Sequence, residues 1–242
     1  MGRTVCAAVA GDPELELVAG VDPGAIGVEV EGITIAGEPD ALLEAGADVV
    51  VDFTHVEAAR GNVLWAAEHG LHAVVGTTGF TPADLEAFGA AFTRSSCLLA
   101  PNFAIGAVLM MRFAELAAPW FETAEVIEMH HDAKRDAPSG TAMRTVERMA
   151  AASSDWAPDP TQHEVVPGAR GGADPSGIHV HALRVRGAVA HQEVILGTTG
   201  QSLTIRHDSY DRISFMPGVL LAVKRVEERP GLTIGLDDLL DL

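Results

Sequence analysis

The chain has 242 residues, 48% of them hydrophobic, with 25 glycines, room for one large domain or two small ones with separate cores. Lys and Arg total 16 against 34 Asp and Glu, a net charge of −18, which argues against nucleic acid or an anionic membrane as partner. Cys6 and Cys97 lie in apolar contexts and predict buried thiols in a reducing cytoplasm. No signal peptide is evident, and the apolar stretch from Phe103 to Met111 ends at Arg112, too short to span a bilayer. A soluble, cytoplasmic protein is expected.

Residues 2–10 have helical spacing and stop at Gly11-Asp12-Pro13, a turn that ends a helix. Leu15 to Val21 predicts a strand closing on Asp22. Ala47 to Phe53 (ADVVVDF) is a nearly continuous β-branched run, the pattern of a strand covered on both faces in a parallel sheet. A helix over 57–69, a strand over 71–75, a helix over 82–93 and a strand over 97–100 follow. This alternation predicts an α/β, doubly wound parallel sheet. Its ligand loops fall at strand carboxyl ends: Asp22, Phe53-Thr54, Gly76-Thr77-Thr78-Gly79 and Pro101-Asn102-Phe103.

From about residue 104 the texture changes. An apolar helix over 105–118, a strand over 124–130, a helix over 141–152 and a Pro/Gly-rich connection through Gly177 precede antiparallel strand signals in 178–186, 189–197 and 202–207, with turn signals at Arg186-Gly187 and Thr198 to Gln201. A helix over 217–226 returns the chain to the first domain. The expectation is thus an inserted α+β substrate and oligomerisation domain: 1–103 and 212–242 form the dinucleotide-binding domain, and 104–211 the insertion.

Between strand and helix, residues 125–142 read EVIEMHHDAKRDAPSGTA. Imidazole titrates near neutrality, an ammonium donates a proton or pairs with an anion, and helix-start amides attract negative charge. His130, His131, Lys134 and Arg135 therefore form a cationic cluster suited to a small acidic substrate. The alternatives are a solvated basic loop, or a metal site joined by His179 and His181, for which no carboxylate or Cys shows a known zinc spacing. Asp22 is placed either for an adenosine ribose or simply as a turn residue before Pro23-Gly24. With no Lys or Arg directly after it to hold a 2′-phosphate, the first reading favours NADH. In the 76–79 loop, glycine allows close backbone approach and the threonine hydroxyls can reach a nicotinamide ribose or carboxamide.

Glu128 to Ala142 (EMHHDAKRDAPSGTA), Val51-Asp52-Phe53-Thr54, Val75 to Phe80 (VGTTGF), Ala100 to Ala104 (APNFA), Arg212 to Phe215 (RISF) and the ending Leu239-Leu240-Asp241-Leu242 occur in that order. Together they resemble the dihydrodipicolinate reductase family of diaminopimelate and lysine biosynthesis, in its actinobacterial branch. The resemblance implies reduction of a cyclic imine dicarboxylate by NADH or NADPH with loss of water. It also implies His130 as the catalytic proton donor and acceptor, Lys134 as proton donor, and His131, Gly140 and Thr141 as holders of the substrate carboxylates. Gly76, Thr77, Thr78 and Ala100, Pro101, Asn102, Phe103 would line the nicotinamide, Asp22 the adenosine ribose, and Arg212 the closure between domains. No metal is implied, and the family is typically a homotetramer assembled through sheets of the second domain.

The family begins with a strand and a GxxGxxGR-type turn, of which only Met1-Gly2-Arg3 stands at the position of the last residues. Those glycines cradle the pyrophosphate, and the strand would be central in the sheet. Without it, the strands ending at Asp22 and Phe53 are expected to lose their link to those ending at Val75 and Ala100. Either the gene start is assigned too late, as the intact downstream motifs favour, or this is a shortened homologue. The first predicts that the upstream codons restore NADH binding. The competing class is a non-catalytic dicarboxylate- or nucleotide-binding homologue, while another Rossmann oxidoreductase would need a base set to rival HHxxK.

Overall fold

A computed structural model describes residues 1–241; Leu242, the last residue of the LLDL ending, lies outside them. The chain forms two compact units, Met1–Ala104 joined by the chain from Arg212 onward, and Ile105–Asp211.

The first unit opens with α1 (Gly2–Ala10), a two-residue-stranded hairpin β1 (Glu29–Val30) and β2 (Ile33–Thr34), and a short α2 (Asp40–Glu44). Strands β3 (Val49–Asp52), β4 (His72–Val75) and β5 (Ser96–Leu99) then alternate with α3 (Val56–His69) and α4 (Pro82–Ala91). Helix α4 starts where the sequence says it should. The Thr81 hydroxyl accepts from the Asp84 amide, the Asp84 carboxylate accepts from the Thr81 amide, and Pro82 occupies the first turn. Helix α3 ends on Gly70 in the left-handed conformation (φ 74°).

After the second unit, α5 (Ile105–Ala117), β6 (Thr123–His130), α6 (Gly140–Ala152), β7 (Gly172–Ala173), β8 (His179–Arg184), β9 (Ala190–Thr198) and β10 (Gln201–Ser209), the chain returns as α7 (Met216–Arg225) and β11 (Gly231–Ile234). In the first unit the strands pair in parallel in the order β11-β5-β4-β3, a Rossmann-like α/β sheet. Ala73 and Val75 of β4 and Cys97 and Leu99 of β5 face Val63, Ala66 and Ala67 of α3 and Phe88 of α4. Val74 and Leu98, on the opposite face, are also fully buried. This two-sided burial explains the unbroken apolar runs.

The strand expected over Leu15 to Val21 does not form. Only Val21 makes a bridge, to Ala36. Its residues are apolar enough, but a strand exists only where a neighbour takes its ladder of hydrogen bonds, and none of the four sheet strands runs beside it. The strand ending at Phe53, by contrast, keeps the link it was expected to lose: β3 pairs directly with β4, from Val49 opposite His72 to Asp52 opposite Val75. Strand β11, which the sequence reading did not anticipate, closes the other edge beside β5.

In the second unit a five-stranded sheet has the order β10-β9-β6-β8-β7. Its buried core joins Ala124 and Val126 of β6, Val180 of β8, and Val194 and Leu196 of β9 to Ala114 of α5 and Ala142, Val146 and Met149 of α6. The antiparallel expectation holds for β9 against β6 and for β10 against β9. It fails for β8, which runs parallel to β6. The turn signal at Arg186-Gly187 suggested a hairpin, but β6 occupies the place between β8 and β9 and takes the hydrogen bonds of both. No helix among the described residues is long and apolar enough to cross a membrane.

Candidate active site

The HHxxK segment connects the end of β6 to the start of α6. Side chains two apart on a strand share a face, so Glu128 and His130 lie together on the side that Val126 gives to the core. Glu128 is wholly buried and the His130 side chain is 17% exposed. His130 Nδ1 sits 2.6 Å from Glu128 Oε2. Arg184, opposite His130 in the β6–β8 register, donates from Nη1 to Glu128 Oε2 and from Nη2 to Oε1, both at 2.9 Å. The Ser139 amide donates to Oε1 at 3.0 Å.

Burial alone would raise the Glu128 carboxyl, but the bonds from Arg184 and His130 outweigh it and hold it below the usual carboxylate range. For His130, burial lowers the imidazole, and the positive charges of Lys134 and Arg184 add to this against the pull of Glu128. The free ring is therefore neutral at neutral pH.

Lys134 Nζ donates to both oxygens of Asp136, at 2.8 and 2.7 Å. That bond chiefly holds the Asp136 carboxyl below its ordinary value. Ser139 caps α6, its Oγ accepting from the Ala142 amide at 3.2 Å, and Gly140 and Thr141 form the first turn behind it. A side-chain carbon added at Gly140 would meet nothing within 4 Å, so a ligand can approach this helix start. His131 is exposed at the mouth of the loop. The structure thus gathers His130, Lys134, Gly140 and Thr141 into one strand–loop–helix segment, and adds two groups the sequence reading passed over, Glu128 and Arg184. Glu128 was detectable from its spacing to His130. Arg184 was not, because strand pairing alone brings it there. His179 and His181 are engaged elsewhere: His179 with the Arg170 carbonyl and Asp159, His181 with Glu125.

In the first unit, register sets Asp52, Val75 and Leu99 side by side, so the loops after β3, β4 and β5 emerge together at the carboxyl end of the sheet. That is where such sheets bind ligands. Thr77, however, is buried, and its hydroxyl donates to Asp52 Oδ1 at 2.8 Å. The same carboxylate accepts from the Thr54 amide and hydroxyl and from Asn62 Nδ2. The Thr77 hydroxyl therefore commits its hydrogen to the Asp52 carboxylate, and Thr78, which is exposed, carries its hydroxyl at the surface.

Gly76 is explained by packing, since a Cβ there would lie 2.0 Å from the Phe53 ring. Ala100 is buried, with its amide bonded to the Val75 carbonyl, and Phe103 is a core residue against Phe53. Pro101 is exposed, and Asn102 Oδ1 accepts from the Ala104 amide. Asp22 is exposed, its Oδ1 accepting from the Gly24 amide, and its segment pairs with no strand of the sheet. Arg212 is exposed at the start of a 3-10 turn. The exposed Thr78 hydroxyl suits a bound nicotinamide, whereas the Gly76 and Ala100 amides are bonded to the Asp52 and Val75 carbonyls. For a pyrophosphate, no glycine-rich strand-to-helix turn is present among the described residues.

Two family profiles match the chain: "Dihydrodipicolinate reductase, N-terminus" over residues 1–103 and "Dihydrodipicolinate reductase, C-terminus" over 106–240. Among curated relatives, the 4-hydroxy-tetrahydrodipicolinate reductase of Nocardia farcinica is 53% identical and that of Mycobacterium marinum 51%, each alignment covering 100% of this chain and 95% of the relative. A solved structure, the dipicolinate-bound dihydrodipicolinate reductase from Paenisporosarcina sp. TG-14, superposes with a TM-score of 0.87 at 37% identity, covering 98% of this chain and 94% of that one. The chain belongs to the dihydrodipicolinate reductase family.

Proposed function

We propose that this chain reduces 4-hydroxy-tetrahydrodipicolinate to tetrahydrodipicolinate, with release of water, in the diaminopimelate route to lysine, and that the residues of the β6–α6 segment do the proton work. The observation that carries the assignment is the pairing of a half-buried, oriented histidine with an open helix start nine to eleven residues on, in a chain about half identical to curated reductases over its full length.

A reduced nicotinamide, NADH or NADPH, supplies the hydride when bound. The backbone of Gly76, Thr77 and Thr78 and of Ala100 to Phe103 would hold it, Thr78 by its hydroxyl as well, with Asp22 at the ribose and Arg212 as a further cofactor contact. Residues 1–103 with 212–242 are the nucleotide-binding part, and 104–211 the substrate-binding and tetramer-forming part, within a cytoplasmic homotetramer.

On the substrate side, the Gly140 and Thr141 amides and the positive end of α6 take one carboxylate, while His131 helps to hold the other. Hydride addition to the conjugated imine leaves electron density on the ring that a nearby acid must quench. Lys134 is a charged donor released by Asp136 when a substrate carboxylate competes for it. His130, with its Nδ1 proton held by Glu128, has its lone pair at Nε2 and there takes up a proton and passes it on. The relative bound to dipicolinate shows that a family member accepts a planar pyridine dicarboxylate, which is what two anion-holding points flanking a proton donor require.

The test is loss of reduced-nicotinamide absorbance with freshly generated 4-hydroxy-tetrahydrodipicolinate. Substrate-dependent turnover with either nucleotide is expected. Dicarboxylate and nucleotide binding without turnover would instead establish a binding homologue.

A further inference from the structure

Four donors converge on the single buried carboxylate of Glu128: His130 Nδ1, two guanidinium nitrogens of Arg184 and the Ser139 amide. Arg184 extends the web, Nη2 donating to the Asp136 carbonyl at 2.6 Å and Nη1 to the Leu183 carbonyl at 2.7 Å. One acid is thereby tied to the proton-handling ring, to the cap of the anion-holding helix and, through Arg184, to the loop that carries Lys134. Stability alone is a poor explanation. A buried ion pair contributes little net stability over well-packed apolar side chains, and Arg184 Nε is buried without a hydrogen-bond partner, a cost that a purely structural pair has no reason to keep.

We propose that Glu128, clamped by Arg184, is the positioning residue of the reaction: it holds His130 in the tautomer with the proton on Nδ1, so that Nε2 is the nitrogen that exchanges a proton with substrate, and it fixes the Gly140–Thr141 helix start in register with that ring. The proposal rests on the reductase reading for its catalytic meaning, but its geometry stands without it. A carboxylate accepts only, so the nitrogen that faces it must donate, and the other nitrogen of the neutral ring is left with the lone pair. When Nε2 takes up a proton, Glu128 also stabilises the imidazolium that forms, as the acid of a Ser-His-Asp triad does for its histidine.

The charged groups around the ring are Glu128 on β6, Arg184 on β8 and Lys134 in the loop, and Glu128 alone favours the protonated ring. Glu128→Gln keeps the shape and the acceptor for Ser139 but can turn a donor toward Nδ1. This substitution should lower kcat at least about 100-fold, the low end of what a lost general acid–base group costs, with KM for the substrate within about threefold and NADH affinity unchanged.

The decisive readout is nitrogen NMR of the His130 ring, which needs no activity. The wild type should show Nδ1–H at neutral pH, and Glu128→Gln should shift the population to Nε2–H and move the titration midpoint downward. An Nε2–H ring in the wild type overturns the proposal, as does an unchanged tautomer, midpoint and kcat in the variant. If Glu128→Gln does not fold, Arg184→Lys, which keeps the charge but loses the fork, should give mixed tautomers and a kcat about tenfold lower; an unaltered ring there overturns it equally. Should the wild type show the predicted tautomer yet reduce no substrate, it is the reductase reading that fails, not the positioning of the ring.

Discussion

Between β6 and α6 the polar side chains bond to one another: His130 to Glu128, Glu128 to Arg184, Lys134 to Asp136. In the loops after β4 and β5 the polar side chains instead tie down the loops themselves, Thr77 to the buried Asp52 carboxylate and Asn102 to the Ala104 amide, and the aromatic rings of Phe53 and Phe103 pack on each other. Under the proposed function, the difference follows from the work each region does. Moving a proton needs side chains of defined pKa held at fixed angles, whereas cradling a nucleotide is done largely by backbone, and side chains there need only set the loop's shape.

The largest expected effect tests the first half of this contrast. His130→Gln should cost about 10²- to 10⁴-fold in kcat while NADH affinity, measured by fluorescence titration, stays within twofold; a parallel loss of NADH binding would break the division between the regions. Asp52→Ala tests the second half. It strands the donors of Thr54, Asn62 and Thr77 and should cost about 2–4 kcal/mol of stability, read from urea unfolding, together with a weaker NADH affinity. A variant that binds NADH normally would show that the Thr77 loop keeps its shape without the carboxylate.

Gly76→Ala should cost about 1–3 kcal/mol through overpacking, because the new methyl meets the Phe53 ring. Phe53→Leu in the same chain should recover part of that loss in a double-mutant cycle; strict additivity would remove the packing explanation.

The smallest effect is in pH. The His130 imidazole is depressed in the folded chain, so the unfolded chain protonates first as pH falls below about 6.5. This group's contribution to stability is present above that value and is lost as pH drops toward the folded pKa. Glu128 is likewise depressed, and its contribution is lost at lower pH, below about 4.3 and on through its folded pKa. A melting temperature followed from pH 7.5 to 3.5 (roughly the range spanning both groups) should fall in two stages, and His130→Gln should flatten the upper one.

Local chemistry made much of this legible. The periods of β4, β5, α3, α4 and α6, the capping of α4 and α6, and the placing of His130 and Lys134 between strand and helix are all written in neighbouring residues, because hydrogen bonds within a helix, caps and side-chain alternation act over a few positions. Strand pairing acts across the chain, and there the sequence misled. Leu15 to Val21 has the composition of a strand but no partner in the sheet, and the β8 segment has the turn signal of a hairpin yet lies parallel to β6.

The sequence by itself determined the placing of His130, Lys134, Gly140 and Thr141 between a strand and a helix, and the alternation of the first unit. Only the tertiary structure decided that Arg184 meets Glu128 across 56 positions, that the Thr77 hydroxyl turns inward to Asp52, and that Gly76 makes room for Phe53. These depend on which strands lie side by side, and that choice is made by the burial of whole faces rather than by any local run of residues.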